Sequence, residues 1–285
     1  MSTTIQGVLA KLNISQFSNT REDDSITAEV KALHQLQGKA GKWVKIKLPE
    51  EFLAGVKKAA GAARQAHYDA SLHWEEGYRL LPMTAKPRYD AAVADAKAKF
   101  EQAVDRFVES YPLALEKART MHAGTYREND YPTLDKVRQQ FEFRVAFLPI
   151  PSSSHFDVSV VGPAVAAMRA QLEAANAAKV EQAVGELWSR LLDPVTKMAD
   201  TLRDPSAIFR ESLVGNVIQV LDLVPALNVT GSDSLRTAAA EVRNRLANLN
   251  PDVLRNNRVA RKAAAETAGE IAVRFGRFGG RKMAA

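Results

Sequence analysis

One stretch constrains the fold more than any other. Tyr89, Val93, Ala96, Phe100, Val104, Phe107 and Tyr111 follow one another at steps of four, three, four, four, three and four. That spacing places all seven on one side of an α-helix about six turns long. A stripe this long needs other helices to cover it, so the chain is read as mainly α. Later stretches repeat the pattern: Val165, Met168, Leu172 and Ala175; Val180, Val184, Leu187 and Leu191; Phe209, Leu213, Val217, Val220 and Val224; Leu235, Ala239, Val242, Leu246 and Leu249. Proline marks the expected breaks, at Pro112, Pro194 and Pro225. Asn250-Pro251 reads as a cap and first helical residue opening a last helix that reaches about Phe275.

Elsewhere the period falls to two. Val44, Ile46 and Leu48 alternate with Trp43, Lys45 and Lys47, which predicts a strand with one basic face. Phe141, Phe143, Val145 and Phe147 alternate likewise, as do Phe156, Val158 and Val160 beyond the Pro149–Ser154 loop, suggesting a hairpin. A hairpin alone is marginal in water, so the 42–48 strand is its expected third partner. The fold class expected is mainly α with a small β insert (α+β): a multi-helix bundle with long antiparallel helices and a short antiparallel sheet of about three strands. Residues 1–161 are read as an N-terminal helical lobe carrying the sheet, 162–273 as a C-terminal helical bundle, and 274–285 as a basic tail.

Charge is distributed unevenly. From Arg255 onward eight Lys/Arg face only Glu266 and Glu270, a balance of +6 that equals the net charge of the whole chain. Arg255, Arg258 and Lys262 share a helical stripe with Arg261 beside it. Arg274, Phe275, Arg277, Phe278, Arg281 and Lys282 follow among glycines. Arg forks suit phosphate and Phe can stack on a base, so these ten residues are the candidate contacts for a single- or double-stranded nucleic acid or a protein partner. The competing reading is a solvated helix end whose cations complement the helix dipole. The basic strand face, Lys45 and Lys47, is a further candidate surface.

Searching for chemistry yields little. Without Cys there is no disulfide, thiolate site or Cys nucleophile. His67 and His73 lie on different sides of a helix, and no His-Glu-x-x-His occurs. Gly38-Lys-Ala-Gly41-Lys42 lacks the first Gly and the Ser/Thr of a phosphate loop, with Leu36 and Trp43 in those places. Ser152-Ser-Ser154-His155 sits in a Pro-flanked loop, and no Gly-x-Ser-x-Gly elbow is present. No catalytic, cofactor or metal residues are assigned, and none of these ligands is expected. No apolar run of membrane-spanning length and no signal-peptide pattern is read, so neither a membrane partner nor secretion is expected, and a cytoplasmic place is.

Several motifs in order carry a resemblance: Leu72-His-Trp-Glu-Glu-Gly-Tyr-Arg-Leu-Leu-Pro82, the Phe107–Tyr111 helix end, Asp130-Tyr-Pro132, and Phe141…Phe147-Leu-Pro-Ile-Pro151…Phe156-Asp-Val158. From about Thr20 to Arg258 the chain resembles a family of uncharacterised phage and mobile-element proteins, domain-of-unknown-function family 3150. The resemblance implies a bacterial host cell. It also implies an interaction protein encoded near a MoxR-type AAA+ ATPase and a von Willebrand type A protein, in some elements near recombination genes. It supplies no catalytic residues. Trp74, Gly77, Arg79 and Pro82 would form a structural turn or a contact surface. The function expected is a non-enzymatic helical interaction protein that assembles with itself or serves an AAA+ ATPase system. The alternative is a nucleic-acid-binding accessory protein acting through its basic C-terminal helix and tail.

Overall fold

The computed structural model describes residues 5–152 and 163–279. The protein is α+β and mainly helical, with nine α-helices, a four-stranded sheet and a separate two-stranded one among the described residues. The strands are β1 (Gly7–Ser15), β2 (Thr20–Glu22), β3 (Val44–Ile46), β4 (Leu72–Glu75), β5 (Tyr78–Pro82) and β6 (Glu142–Pro149). The helices are α1 (Asp24–Leu33), α2 (Glu50–Asp69), α3 (Lys86–His122), α4 (Leu134–Arg138), α5 (Pro163–Arg203), α6 (Ser212–Leu227), α7 (Asp233–Leu246), α8 (Pro251–Asn256) and α9 (Arg258–Gly276).

The chain forms two compact units, and they are interleaved. Unit 1 takes residues 1–11, 67–90 and 146–285; unit 2 takes 12–66 and 91–145. The boundaries fall inside β1, α2, α3 and β6, so they do not match the lobes expected at 1–161 and 162–273. The expected division assumed that sequence neighbours pack together. Here β4 and β5 pack with α5 and α6, which draws the early segment into the same unit as the late helices.

Unit 2 is built on the long stripe. Phe100, Val104, Phe107 and Tyr111 of α3 are buried with Leu53, Val56 and Ala60 of α2, together with Phe17, Leu48, Tyr131 and Val137. The rings meet edge-on: Phe107 lies 5.5 Å from Phe141 and 5.7 Å from Tyr111 between centroids. Each fully buried side chain contributes about 2 kcal/mol, so the stripe outweighs the roughly 3 kcal/mol lost to Pro112. That explains why α3 continues to His122, where a break was expected. Pro194 and Pro225 are likewise inside α5 and α6. Leu191, Leu192, Val195 and Met198 are buried around the first, and Val224 and Leu227 around the second.

Unit 1 centres on the second half of α5. Leu187, Trp188, Leu191, Val195, Met198 and Leu202 are buried, and α9 is the helix packed most extensively against α5. Small residues allow that approach. Ala264, Ala265, Ala268 and Ala272 face inward, and a Cβ at Gly269 would overlap the guanidinium of Arg203. One helix was expected from Pro251 to Phe275, but the chain breaks at Asn257. Its extended backbone ends α8, and its side-chain carbonyl accepts the N–H groups of Val259 and Ala260 to open α9.

The sheet departs most from expectation. Its order is β4-β5-β1-β6. β5 pairs antiparallel with β1, Leu81 opposite Val8, and with β4 across the turn at Gly77, whose φ of +79° suits glycine. β1 comes from a stretch to which no strand was assigned, and β4–β5 from one expected to hold a structural turn or a contact surface. β6 matches the predicted 141–148 strand. The 42–48 strand does not join it: β3 pairs with β2 in the separate ribbon. Phe156, Val158 and Val160 lie outside the described residues. The missed β5 is buried at Leu80, Leu81 and Pro82 in succession, which erases the period of two. Gly77 was the available turn signal.

Candidate interaction surfaces

The strand β3 is inside out relative to the sequence pattern. Lys45 is 3 % exposed and Lys47 8 %, while Trp43, Val44 and Ile46 are each about half exposed. The cause is a carboxylate far along the chain. Asp130 accepts from Lys45 Nζ at 3.1 Å and from Arg21 of β2, and Lys45 also donates to the Thr125 carbonyl at 2.6 Å. Lys47 reaches over the Phe17 ring, Nζ 4.1 Å from its centroid. Burial holds its amine below the usual lysine range, and Arg21 adds to that, against an opposing pull from Asp130. Asn19 fixes the register by bonding both the N–H and the carbonyl of Leu48 at 2.8 Å. The basic face expected on this strand is therefore interior, and the outward face is apolar.

The neighbouring helix is exposed as well. Asp23 caps α1 by accepting from the N–H groups of Ser25 and Ile26, and Thr27 Oγ1 accepts the Trp43 N–H at 2.9 Å. Yet α1 buries none of its residues, and Leu33 stands 78 % exposed with Leu36 beyond it. Five large apolar side chains between residues 33 and 46 thus meet solvent. Sequence reasoning missed them because it took Lys45 and Lys47 as the strand's contact face, with Val44 and Ile46 opposite.

The basic C-terminal residues are placed less simply. Arg255, Arg258, Arg261 and Lys262 line a groove of about 650 Å³ with Leu202, Arg203, Pro205 and Glu266. Arg261 is fixed as a cap on the end of α5: Nε donates to the Leu202 carbonyl at 3.1 Å, and Nη2 to those of Thr201, Asp204 and Ala207. Arg255 pairs with Asp252 at 2.6 Å, and Lys262 stands 3.9 Å from Glu266. Arg258 has no partner among the described residues. The stripe expected to run through Arg255 and Arg258 is broken by Asn257.

The aromatic residues of the expected tail are structural. Phe275 is 5 % exposed in α9, and Phe278 stacks on Trp188 with centroids 4.9 Å apart and planes at 15°. Arg277 covers the outer side of Phe278 at 4.9 Å, and Arg274 pairs with Glu241 at 2.9 Å. Phe275 is buried, and Phe278, though 37 % exposed, has Trp188 against one face and Arg277 over its ring, so neither offers the free face expected for base stacking. Arg281 and Lys282 lie outside the described residues.

Arg79 belongs to a part-buried network in unit 1, and Trp74 to the core of that unit. Glu186 of α5 accepts from the His73 N–H, from Arg79 at 2.9 Å and from Arg190 at 2.6 Å. Burial alone would raise its carboxyl; Arg190, the His73 amide and Arg79 together hold it low. Arg79 also donates to Ser71 Oγ at 2.9 Å, and Ser71 donates to the His67 carbonyl. His67 Nδ1 lies 2.9 Å from the Tyr89 hydroxyl. Burial, with Arg79 nearby, pushes the His67 imidazole down to about 4. Trp74 is 1 % exposed beneath Lys179. Trp74 and Arg79, offered by the sequence as possible contact residues, are core and network. Among the described residues, no group of three or more His, Asp or Glu is placed to hold a metal ion, and no helix is long and apolar enough to cross a membrane. No family model, curated protein or solved structure matches the chain.

Proposed function

We propose that this chain is a non-enzymatic helical interaction protein that self-assembles through the apolar face of unit 2. A single observation carries the proposal: β3 turns Lys45 and Lys47 inward and leaves Trp43, Val44 and Ile46 outward, beside a helix that buries nothing. A cluster of this kind marks an interaction site more often than scattered apolar residues do. The occupant proposed is a second copy, because two-fold pairing lays one face on itself and needs no other component. The two-stranded β2–β3 ribbon, marginal on its own, would gain most from such cover.

The expected affinity is modest. Two-fold pairing covers five partly exposed side chains on each copy, roughly 1 kcal/mol apiece and about 10 kcal/mol together, of which association and ordering take about 5 kcal/mol and leave about 5 kcal/mol. That corresponds to a dissociation constant on the order of 10⁻⁴ M. Sedimentation at several concentrations tests it. The wild type should show a monomer–dimer equilibrium that Trp43→Glu with Ile46→Glu abolishes. A wild type that stays monomeric at millimolar concentration refutes self-assembly. An AAA+ ATPase of the MoxR type, the partner that the family resemblance implies, would then be the occupant to try by pulldown.

A further inference from the structure

The groove at the start of α9 has donors to spare. An arginine has five N–H groups and a lysine three. Arg261 commits Nε and Nη2 to the carbonyls that end α5, which leaves both Nη1 hydrogens without a hydrogen-bond partner. Arg255 commits Nε to the Phe209 carbonyl and Nη1 to Asp252, leaving Nη2. Arg258 keeps its whole fork, and Lys262 is beyond hydrogen-bond reach of Glu266 at 3.9 Å. All four side chains line the same groove. Two are held rigid by the fold and two are free to close on a ligand, so part of the ordering cost is already met.

The groove also lacks something. None of its lining residues is aromatic. Phe209 lies under the guanidinium groups of Arg255 and Arg261, and Phe275 and Phe278 cover Trp188. Cations without a stacking ring suit phosphate oxygens and leave bases unread. A second, shallower depression along α9 shares Arg203 and Glu266 with the groove and runs past Glu270 to Arg274; there Glu270 is paired with Arg245, and Arg274 with Glu241. At 1.5 Å per residue, Arg258 to Arg274 spans about 24 Å, longer than one small anion requires. We infer that this groove binds the phosphodiester backbone of a nucleic acid, independently of base sequence. The inference goes beyond the proposed assembly face and stands apart from it, in the other unit.

Fluorescence anisotropy of the full chain tests it, with labelled DNA of about 20 nucleotides, single-stranded and duplex, at several salt concentrations. Wild type should bind both, mixed sequence and oligo-dT alike, with affinity falling steeply as salt rises. Arg258→Ala with Lys262→Ala should weaken binding at least about tenfold and reduce the salt slope by about 2. Both side chains are exposed, so the variant's thermal melt should match wild type. Arg281→Ala with Lys282→Ala should stay within about twofold of wild type. Unchanged affinity in the first variant overturns the inference, as does loss confined to the second. Competition by inorganic pyrophosphate at the same concentration of phosphate groups as the DNA would point to a small-anion site and overturn it too.

Discussion

β3 and the start of α9 are both short stretches dense in cations, and the protein treats them in opposite ways. In β3 the lysines go inside and the apolar residues face water. At the start of α9 the cations stay out, and alanines go in. The difference lies in what waits on the inner side. Asp130 offers Lys45 a nearly buried carboxylate, and Phe17 offers Lys47 a ring face. The inner side of α9 offers the apolar surface of α5, which accepts Ala264, Ala265 and Ala268. The sequence therefore places a cation, and the tertiary structure decides whether it meets a carboxylate, a ring face, backbone carbonyls or solvent.

Removing the internal anion should break the comparison most severely. Asp130→Ala leaves Lys45, with a side chain 2 % exposed, as an unpaired buried charge and releases Arg21 as well. Breaking a buried pair from one side costs about 3–5 kcal/mol, and urea unfolding should show a loss of that size. Asp252→Ala makes the matching change beside the groove, where Asp252 is 75 % exposed. Its cost should be under about 1 kcal/mol. Equal losses at the two sites would mean that burial does not separate them.

A buried imidazole sharpens the contrast, since it is a potential cation that the fold keeps neutral. The folded value of His67, about 4, lies below its ordinary value of 6.5. The unfolded chain therefore takes up the proton first as pH falls. Stability conferred by neutral His67 is complete above about 6.5 and is lost between 6.5 and about 4. The full shift is worth about 3 kcal/mol, an upper figure because the site is not wholly sealed. Wild-type stability measured at pH 7 and pH 4.5 should differ by about 2–3 kcal/mol more than that of His67→Gln. Parallel pH profiles would show that the imidazole titrates as if in water.

These contrasts also explain what the sequence could disclose. The stripe from Tyr89 to Tyr111 was legible because seven local positions agree on one face. β3 was legible as a strand, yet its two faces differ only in which partner they meet, and that partner lies at Asp130, some 85 residues away. Arg255, Arg258, Arg261 and Lys262 were legible as a cluster, but the groove needs Arg203 and Pro205 from the end of α5. Phe275 and Phe278 looked like ligands for a base because nothing in their own segment names Trp188 as the surface they cover.

The smallest expected effect separates the two buried lysines from each other. Lys45 has a carboxylate and a carbonyl, whereas Lys47 has mainly a ring, and burial holds its pKa down. A depressed lysine pKa means that folding disfavours the charged form, so at pH 7 the ammonium of Lys47 works against stability. Methionine keeps the length and the contact with Phe17 and removes the charge. Lys47→Met should therefore unfold at equal or higher urea, with a gain of up to about 1 kcal/mol. Lys45→Met, which strands Asp130 and leaves Arg21 as its remaining cation, should lose stability. A loss on Lys47→Met as large as on Lys45→Met would show that the contact over Phe17 holds the cation as firmly as an ion pair does, and the β3 interior would then have two binding sites for charge instead of one.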